Sequence, residues 1–179
     1  MTNSVAPGNC LSVSIVLYHS PLEPLRSTLE QLIIAVQCAV ADTQLSRVEL
    51  TLIDNSCDPR YQSAVRELLS GLAPPVLLVT DYVAAEQNLG FGAGHNKVLP
   101  ALDSEFHLVL NPDAELSRDA LRVGLTTLQQ DSSIALVSPA VTGTNSEPEY
   151  LCKDYPSVLV LVLRAFAPGW LQRCFGARL

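Results

Sequence analysis

The chain has 179 residues, 48% hydrophobic and 16% charged, enough for one domain with a real core and too short for two large ones. That balance is that of a globular and not of a disordered chain. The net charge is −7, from 11 Lys and Arg against 18 Asp and Glu, and no basic run occurs. A nucleic-acid-binding face is thereby excluded, and any nucleotide ligand must rely on backbone N–H groups and a metal ion.

The first residues (MTNSVAPGNC) lack the basic n-region and long apolar h-region of a signal peptide. Leu11–Tyr18 (LSVSIVLY) then reads as a buried strand. Leu25–Ala41 reads as an amphipathic helix, with Leu25, Leu29, Leu32, Ile33 and Val36 at helical spacing. Val48–Ile53 is a second strand and ends in Asp54-Asn55-Ser56. A second helix is expected over Tyr61–Leu69, with Gly71 as its C-cap, and a third strand over Val76–Val79. A glycine-rich loop (NLGFGAGHN, residues 88–96) precedes a helix expected over His95–Leu102. Phe106–Leu110 is a fourth strand, broken by Asn111-Pro112-Asp113. Arg118–Gln130 is expected to be helical and Ile134–Val137 to be a fifth strand. From Thr142 to Tyr155 the pattern loosens to a loop or small hairpin. Pro156–Phe166 returns to an apolar helical run, and the last residues (WLQRCFGARL) are amphipathic, with Arg173 and Arg178. No stretch reaches the ~18 apolar residues of a membrane span.

Strands alternating with helices predict an α/β fold, Rossmann-like, with a mostly parallel central sheet flanked by helices. Such sheets bind ligands at the carboxyl ends of their strands. Three polar turns fall on that rim: Asp54-Asn55, the glycine loop and Asn111-Pro112-Asp113. His19 and Ser20, after strand one, are placed to line it too.

Each segment has a chemical and a purely architectural reading. Gly90, Gly92 and Gly94 permit positive φ and close backbone approach, and a following helix would aim N–H groups at an anion. The same glycines would also suit a turn shaped by packing. The spacing is neither the dinucleotide-binding fingerprint nor a P-loop. Asp113, at a strand terminus, suits Mg²⁺ or Mn²⁺ bridging to phosphate oxygens, or else caps the turn. Asp54 can accept hydrogen bonds from a ribose or base, or else form an Asx-turn. His19, His95 and His107 have no metal-ligand spacing, and His107 reads as structural within strand four. The five cysteines (Cys10, Cys38, Cys57, Cys152, Cys174) form no CxxC pair and read as reduced thiols of a cytosolic protein. No nucleophilic-hydrolase motif occurs.

SIVLYHS at strand one, LTLIDNS at strand two, NLGFGAGHN and LVLNPDAEL, in that order, together resemble the GT-A glycosyltransferases of family 2, in particular their bacterial rhamnosyltransferase-like branch. SPAV and YPSVLVLVLRAF add to the likeness, which spans roughly residues 12–166. The resemblance implies one GT-A donor-binding domain over residues 1–179, with a nucleotide-sugar core over 12–140 and a loop and apolar helical tail over 141–179. It implies that Tyr18 and His19 line the nucleotide site and that Asp54 contacts base or ribose. Asn88, Gly90, Phe91, Gly92, Gly94 and Asn96 would shape the donor pocket. The family's Asp-x-Asp metal motif corresponds to Asn111-Pro112-Asp113, so its first aspartate is Asn111 and Asp113 is left as the principal ligand of Mg²⁺ or Mn²⁺.

The implied reaction moves a sugar, rhamnose for example, from a dTDP- or UDP-linked donor to a saccharide or polyprenyl-linked acceptor in cell-surface polysaccharide synthesis, with inversion. The family's general base lies in a further acidic segment. No acidic residue follows Asp154, so no base is assigned and the chain is expected to be the donor half of a longer enzyme. The alternative is a non-catalytic nucleotide-sugar-binding or interaction module. The expected location is cytoplasmic, with the Trp170- and Phe175-bearing tail in peripheral contact with the inner face of the membrane.

Overall fold

The computed structural model describes residues 9–43, 45–142 and 148–149. The molecule divides into two compact units, Met1–Ser138 and Pro139–Leu179. The first contains strands β1 (Asn9–Leu17), β2 (Leu45–Asp54), β3 (Leu78–Ala84) and β4 (Phe106–Leu110). Its helices are α1 (Leu22–Thr43), α2 (Pro59–Ser70), α3 (Phe91–Asn96) and α4 (Ala120–Gln130), with a 3-10 turn over Leu99–Ala101. In the second unit the described elements are a two-residue antiparallel pair, β5 (Val141–Thr142) with β6 (Pro148–Glu149), at the edge of the stretch read as a loop or small hairpin.

The four long strands form one parallel sheet in the order β3-β2-β1-β4, so the α/β expectation holds. β1 alternates strictly, as a strand with two different faces must. Leu11, Val13, Ile15 and Leu17 join the core with Leu25, Leu29, Leu32 and Val36 of α1 and Leu121 and Leu125 of α4. Ser12, Ser14 and Val16 point to the other face. There α3 crosses β1 so closely that a Cβ on Gly94 would lie 2.8 Å from Val16 Cγ2. Helix α2 starts on Asp58, whose carboxylate accepts from the Arg60 N–H at 2.9 Å, with Pro59 in the first turn and Gly71 as C-cap.

Three expectations are corrected. β3 begins at Leu78 and runs through Thr80-Asp81-Tyr82, whereas Val76 lies in an exposed turn. An edge strand needs one buried face only, so the polar residues that ended the apolar run did not end the strand. Ile134–Val137 forms no strand, and Leu136 is 84% exposed. An apolar run becomes a strand only where a neighbour completes its hydrogen-bond ladder, and none does so among the described residues. The helix expected from His95 starts at Phe91, placing Gly92 and Gly94 inside it and leaving Gly90 alone at positive φ (76°). The apolar tail, Pro156–Phe166 and beyond, lies outside the described residues.

Candidate functional site

The strand order reverses direction at β1: β2 and β3 follow on one side, β4 on the other. Crevices form at such a switch point, outside the carboxyl ends of the strands. A cleft of about 530 Å³ lies there. Tyr18, Asn88, Gly90, Phe91, Asn111 and Asp113, all named from the sequence, line it together with Val16, Ser20, Asn55 and Pro112. A second cavity, about 160 Å³ among Leu29, Leu32, Leu69, Leu78 and neighbours, is apolar apart from Thr80 and offers no chemistry.

The turn after β1 presents Tyr18, 58% exposed, to the cleft. His19 follows at φ 50°, packed edge-on to Tyr18 at 5.2 Å and tilted against Tyr61 at 5.5 Å. The Tyr61 hydroxyl donates to the Ser20 carbonyl at 3.0 Å, so α2 fixes this turn from outside. The only other described non-glycine residue at positive φ is Cys57 (54°), in the turn after β2. Among the described residues, left-handed backbone at non-glycine positions is therefore confined to two rim turns, a distribution typical of functional sites.

Asn55, 1% exposed, links two of the polar turns. Its Nδ2 donates to the Gly90 carbonyl at 3.1 Å, while Asn88 Oδ1 accepts from the Gly90 N–H at 2.9 Å. Since a carbonyl only accepts, the amide orientation of Asn55 is fixed, and its Oδ1 is left buried with no partner among the described residues. The sequence places Asn55 on the rim beside Asp54 but gives it no role of its own. The signal was its place beside Asp54 at a strand's carboxyl end.

The acidic turn is held from the core side. Thr28, fully buried on α1, donates to the Pro112 carbonyl at 3.1 Å and shares the hydroxyl with Pro24 at 3.0 Å. Asp113 is exposed and engages no hydrogen-bond or ion-pair partner among the described residues. The Asn111 carbonyl accepts from the Ala114 N–H at 3.3 Å, so backbone and not the Asp113 carboxylate closes the turn. Among the described residues nothing occupies that carboxylate, and Asp113 lines the cleft.

Five named residues stand apart from the cleft lining. Asp54 is fully buried: Oδ1 accepts from the Ser56 N–H at 2.7 Å and Oδ2 from the Tyr82 hydroxyl. Its Asx-turn reading is thus realised. Burial and the Asp54 carboxylate together drive the Tyr82 phenol well above the ordinary tyrosine range, and Arg66 sits 4.3 Å over its ring. His19 packs between tyrosines. Gly92 and Asn96 lie exposed on α3, and Gly94 is packed on β1. His95 and His107 join a buried polar chain beneath α3.

No cluster of three or more His, Cys, Asp or Glu side chains suited to a metal occurs among the described residues. A lone carboxylate is nonetheless the donor set Mg²⁺ commonly uses, keeping water and taking phosphate oxygens from the substrate. Asp113 fits that role. Among the described residues no helix is long and apolar enough to cross a membrane.

No family model matches the chain, and neither does any curated protein. Among solved structures it is similar to residues 1–349 of S. aureus TarS, with 18% identity and a TM-score of 0.48, covering 67% of this chain and 32% of that one. It is similar to a longer S. aureus TarS structure at 18% identity and a TM-score of 0.45, covering 67% and 19%. It is also similar to 4-diphosphocytidyl-2C-methyl-D-erythritolsynthase from Anaerococcus prevotii, at 12% identity and a TM-score of 0.48, covering 82% and 66%. The chain spans about a third or less of the length of the TarS structures.

Proposed function

We propose that the cleft is the donor site of a glycosyltransferase that uses a nucleotide diphosphate sugar. The observation that supports this most is the meeting, at the switch point, of an unengaged carboxylate on Asp113 with the Gly90 turn and the exposed Tyr18 ring. A diphosphate calls for cation-mediated charge neutralisation and backbone donors, and a base or ribose calls for a flat partner and fixed polar groups. Asp113 would hold Mg²⁺ or Mn²⁺, with Asn111 beside it, and the ion would supply charge neutralisation on the diphosphate. Asn55, Asn88 and Gly90 hold the wall against which the donor packs. In this reading the nucleotide is dTDP or UDP, the acceptor is a saccharide or lipid-linked hydroxyl, and the transfer inverts the anomeric centre as the sequence resemblance implies. Asp54 is fully buried and would reach the base only after the turn around it opened.

Calorimetric titration with UDP, dTDP and GDP, with Mg²⁺ and again with EDTA, tests the reading. Binding of UDP or dTDP that weakens at least tenfold in EDTA supports it. Saturable binding indifferent to EDTA removes the metal, and absence of binding by all three removes the nucleotide site.

A further inference from the structure

A polar chain runs beneath α3. Ser12 and Ser14 are two apart on β1 and share a face of the sheet. His107 of β4 is registered opposite Ser12 and bridges the two serines, Nδ1 at 2.7 Å from Ser12 Oγ and Nε2 at 2.9 Å from Ser14 Oγ. Ser14 Oγ is also 2.7 Å from Nδ1 of His95 on α3. At the other end Ser12 Oγ meets Ser104 Oγ at 2.7 Å and the Phe106 carbonyl at 3.3 Å.

Each hydroxyl donates once, so the chain can run in either of two directions. The one that leaves no buried N–H unsatisfied on His95 is the one in which Ser12 donates away from His107. With Ser12 donating to the Phe106 carbonyl, His107 donates from Nδ1 to Ser12. Its Nε2 accepts from Ser14, and Ser14 accepts from His95 Nδ1. His95 Nε2 is then a bare lone pair, and it is buried without a partner among the described residues. A proton there would bury an N–H with no acceptor. A proton on His107 would place a charge between two hydroxyls.

Among the described residues no carboxylate is hydrogen-bonded to either ring. Besides the two rings, the groups hydrogen-bonded along the chain are the hydroxyls of Ser12, Ser14 and Ser104 and the Phe106 carbonyl. Phe91 covers His95 edge-on at 4.6 Å. Glu105 gives its carboxylate to the Cys10 N–H at 2.6 Å. Among the described residues, Glu105, Asp103, Cys10 and Lys97 hydrogen-bond neither ring. Burial holds both imidazoles below the ordinary histidine range, and His107 lowers His95 further.

The Ser14–His95 bond ties the end of α3 to β1, and the start of α3, Gly90 and Phe91, is a wall of the cleft. We propose that this serine–histidine chain is a proton-operated latch. With both rings neutral it holds α3 against β1 and keeps the cleft wall in place; protonation frees α3 and weakens ligand binding in the cleft. The ligand half of this inference rests on the nucleotide reading of the cleft, while the helix half does not.

Amide hydrogen exchange between pH 5 and 8, corrected for intrinsic rates, tests the helix half on the intact chain. The reporters are the Gly94, Lys97 and Val98 N–H groups, bonded to the Gly90, Gly94 and His95 carbonyls. Their opening should rise by up to about tenfold per pH unit for each histidine below about pH 6.5, relative to amides of β1. His107→Gln should flatten that slope, as should the milder Ser14→Ala. Exchange in α3 that merely follows β1, or a slope unchanged in both variants, overturns the latch. Histidine ring NMR of the unmodified chain is the check that survives a misfolded variant: two rings titrating below about 6.5 support the latch, and ordinary titration overturns it. Titration with UDP and Mg²⁺ over the same range tests the ligand half. Affinity falling in step with α3 opening supports the coupling, and constant affinity overturns it. Absence of UDP binding at every pH counts against the nucleotide reading, and the exchange result still decides the latch.

Discussion

Asn55 donates from its side-chain amide to the Gly90 carbonyl at 3.1 Å, so the turn after β2 holds the residue that opens α3. The Gly94 N–H reaches the same carbonyl at 3.0 Å, which limits the damage when Asn55 is truncated. Asn55→Ala should cost about 1–2 kcal/mol in urea unfolding. Asn55→Asp should cost more at pH 7, because a buried carboxylate would face a carbonyl oxygen. Acidification should narrow the gap between the two variants, since the introduced carboxyl regains a donor once it is protonated. Equal stability of the two at pH 7 would show that the side chain leaves the Gly90 carbonyl in solution.

Gly92 and Gly94 should part company despite identical chemistry and near-identical position. An added Cβ at Gly92 meets nothing within 4 Å, whereas at Gly94 it meets Val16 at 2.8 Å and Asn55 Nδ2 at 3.4 Å. Gly92→Ala should stabilise by up to about 1 kcal/mol through helix propensity. Gly94→Ala should destabilise by about 1–3 kcal/mol through overpacking against β1. Thermal unfolding of both variants beside the parent decides the matter, and a shift of the same sign in both contradicts the packing.

These glycines show where the sequence was legible and where it was not. Periodicity located β1, α1, β2, α2 and β4 because each has a clear apolar face, and β4 (Phe106–Leu110) was delimited to the residue. It placed the glycine loop with Gly90, Asn111 and Asp113 on one rim because parallel strands share their carboxyl ends, whereas Tyr18 was named only through the family resemblance. It misjudged α3, since three alternating glycines resemble a loop when read locally. What makes two of them helical is the seating of Gly94 on Val16, far earlier in the chain. The tie from Asn55 to Gly90, the role of Thr28 and the Ser12–His107–Ser14–His95 chain escaped notice for the same reason: their partners are remote in sequence. Asp54 was placed correctly on the rim, but its engagement by Tyr82 depends on β3 extending past Val79, which the apolar run did not reveal.

Tyr82 and Asp54 supply an alkaline counterpart to the histidine chain. The Tyr82 hydroxyl donates to a fully buried carboxylate, and its own ionisation is driven upward by burial and by that carboxylate. A phenol whose pKa is raised in the folded state contributes stability that is complete below the unfolded value of about 10. That contribution is lost as pH rises toward the folded value. Tyr82→Phe should lower stability at pH 7 by about 1–3 kcal/mol, by leaving Asp54 one donor short. It should also flatten the decline above about pH 10. Urea unfolding of parent and variant at pH 7, 9 and 10.5 measures both effects, and parallel curves throughout would mean that Asp54 is served by other donors.

Asp113 separates site from scaffold, because the turn that carries it is closed by other groups. The Ala114 N–H bonds to the Asn111 carbonyl at 3.3 Å and Thr28 grips the Pro112 carbonyl at 3.1 Å, neither of them through the Asp113 carboxylate. Asp113→Asn preserves shape and removes the charge, so the unfolding midpoint should not move. If this carboxylate holds the cation, Mg²⁺-dependent affinity for UDP or dTDP should fall at least tenfold, while the weaker affinity measured in EDTA stays where it was. The difference between the two titrations, not either alone, carries the inference. A general loss of binding in both would indicate a distorted cleft. Retention of the Mg²⁺ effect in Asp113→Asn would place the cation elsewhere. Thr28→Val completes the comparison: without its hydroxyl the Pro112 carbonyl loses a donor, and the acidic turn should loosen with the carboxylate still present. Binding should then weaken by less than in Asp113→Asn, with stability falling by about 1 kcal/mol.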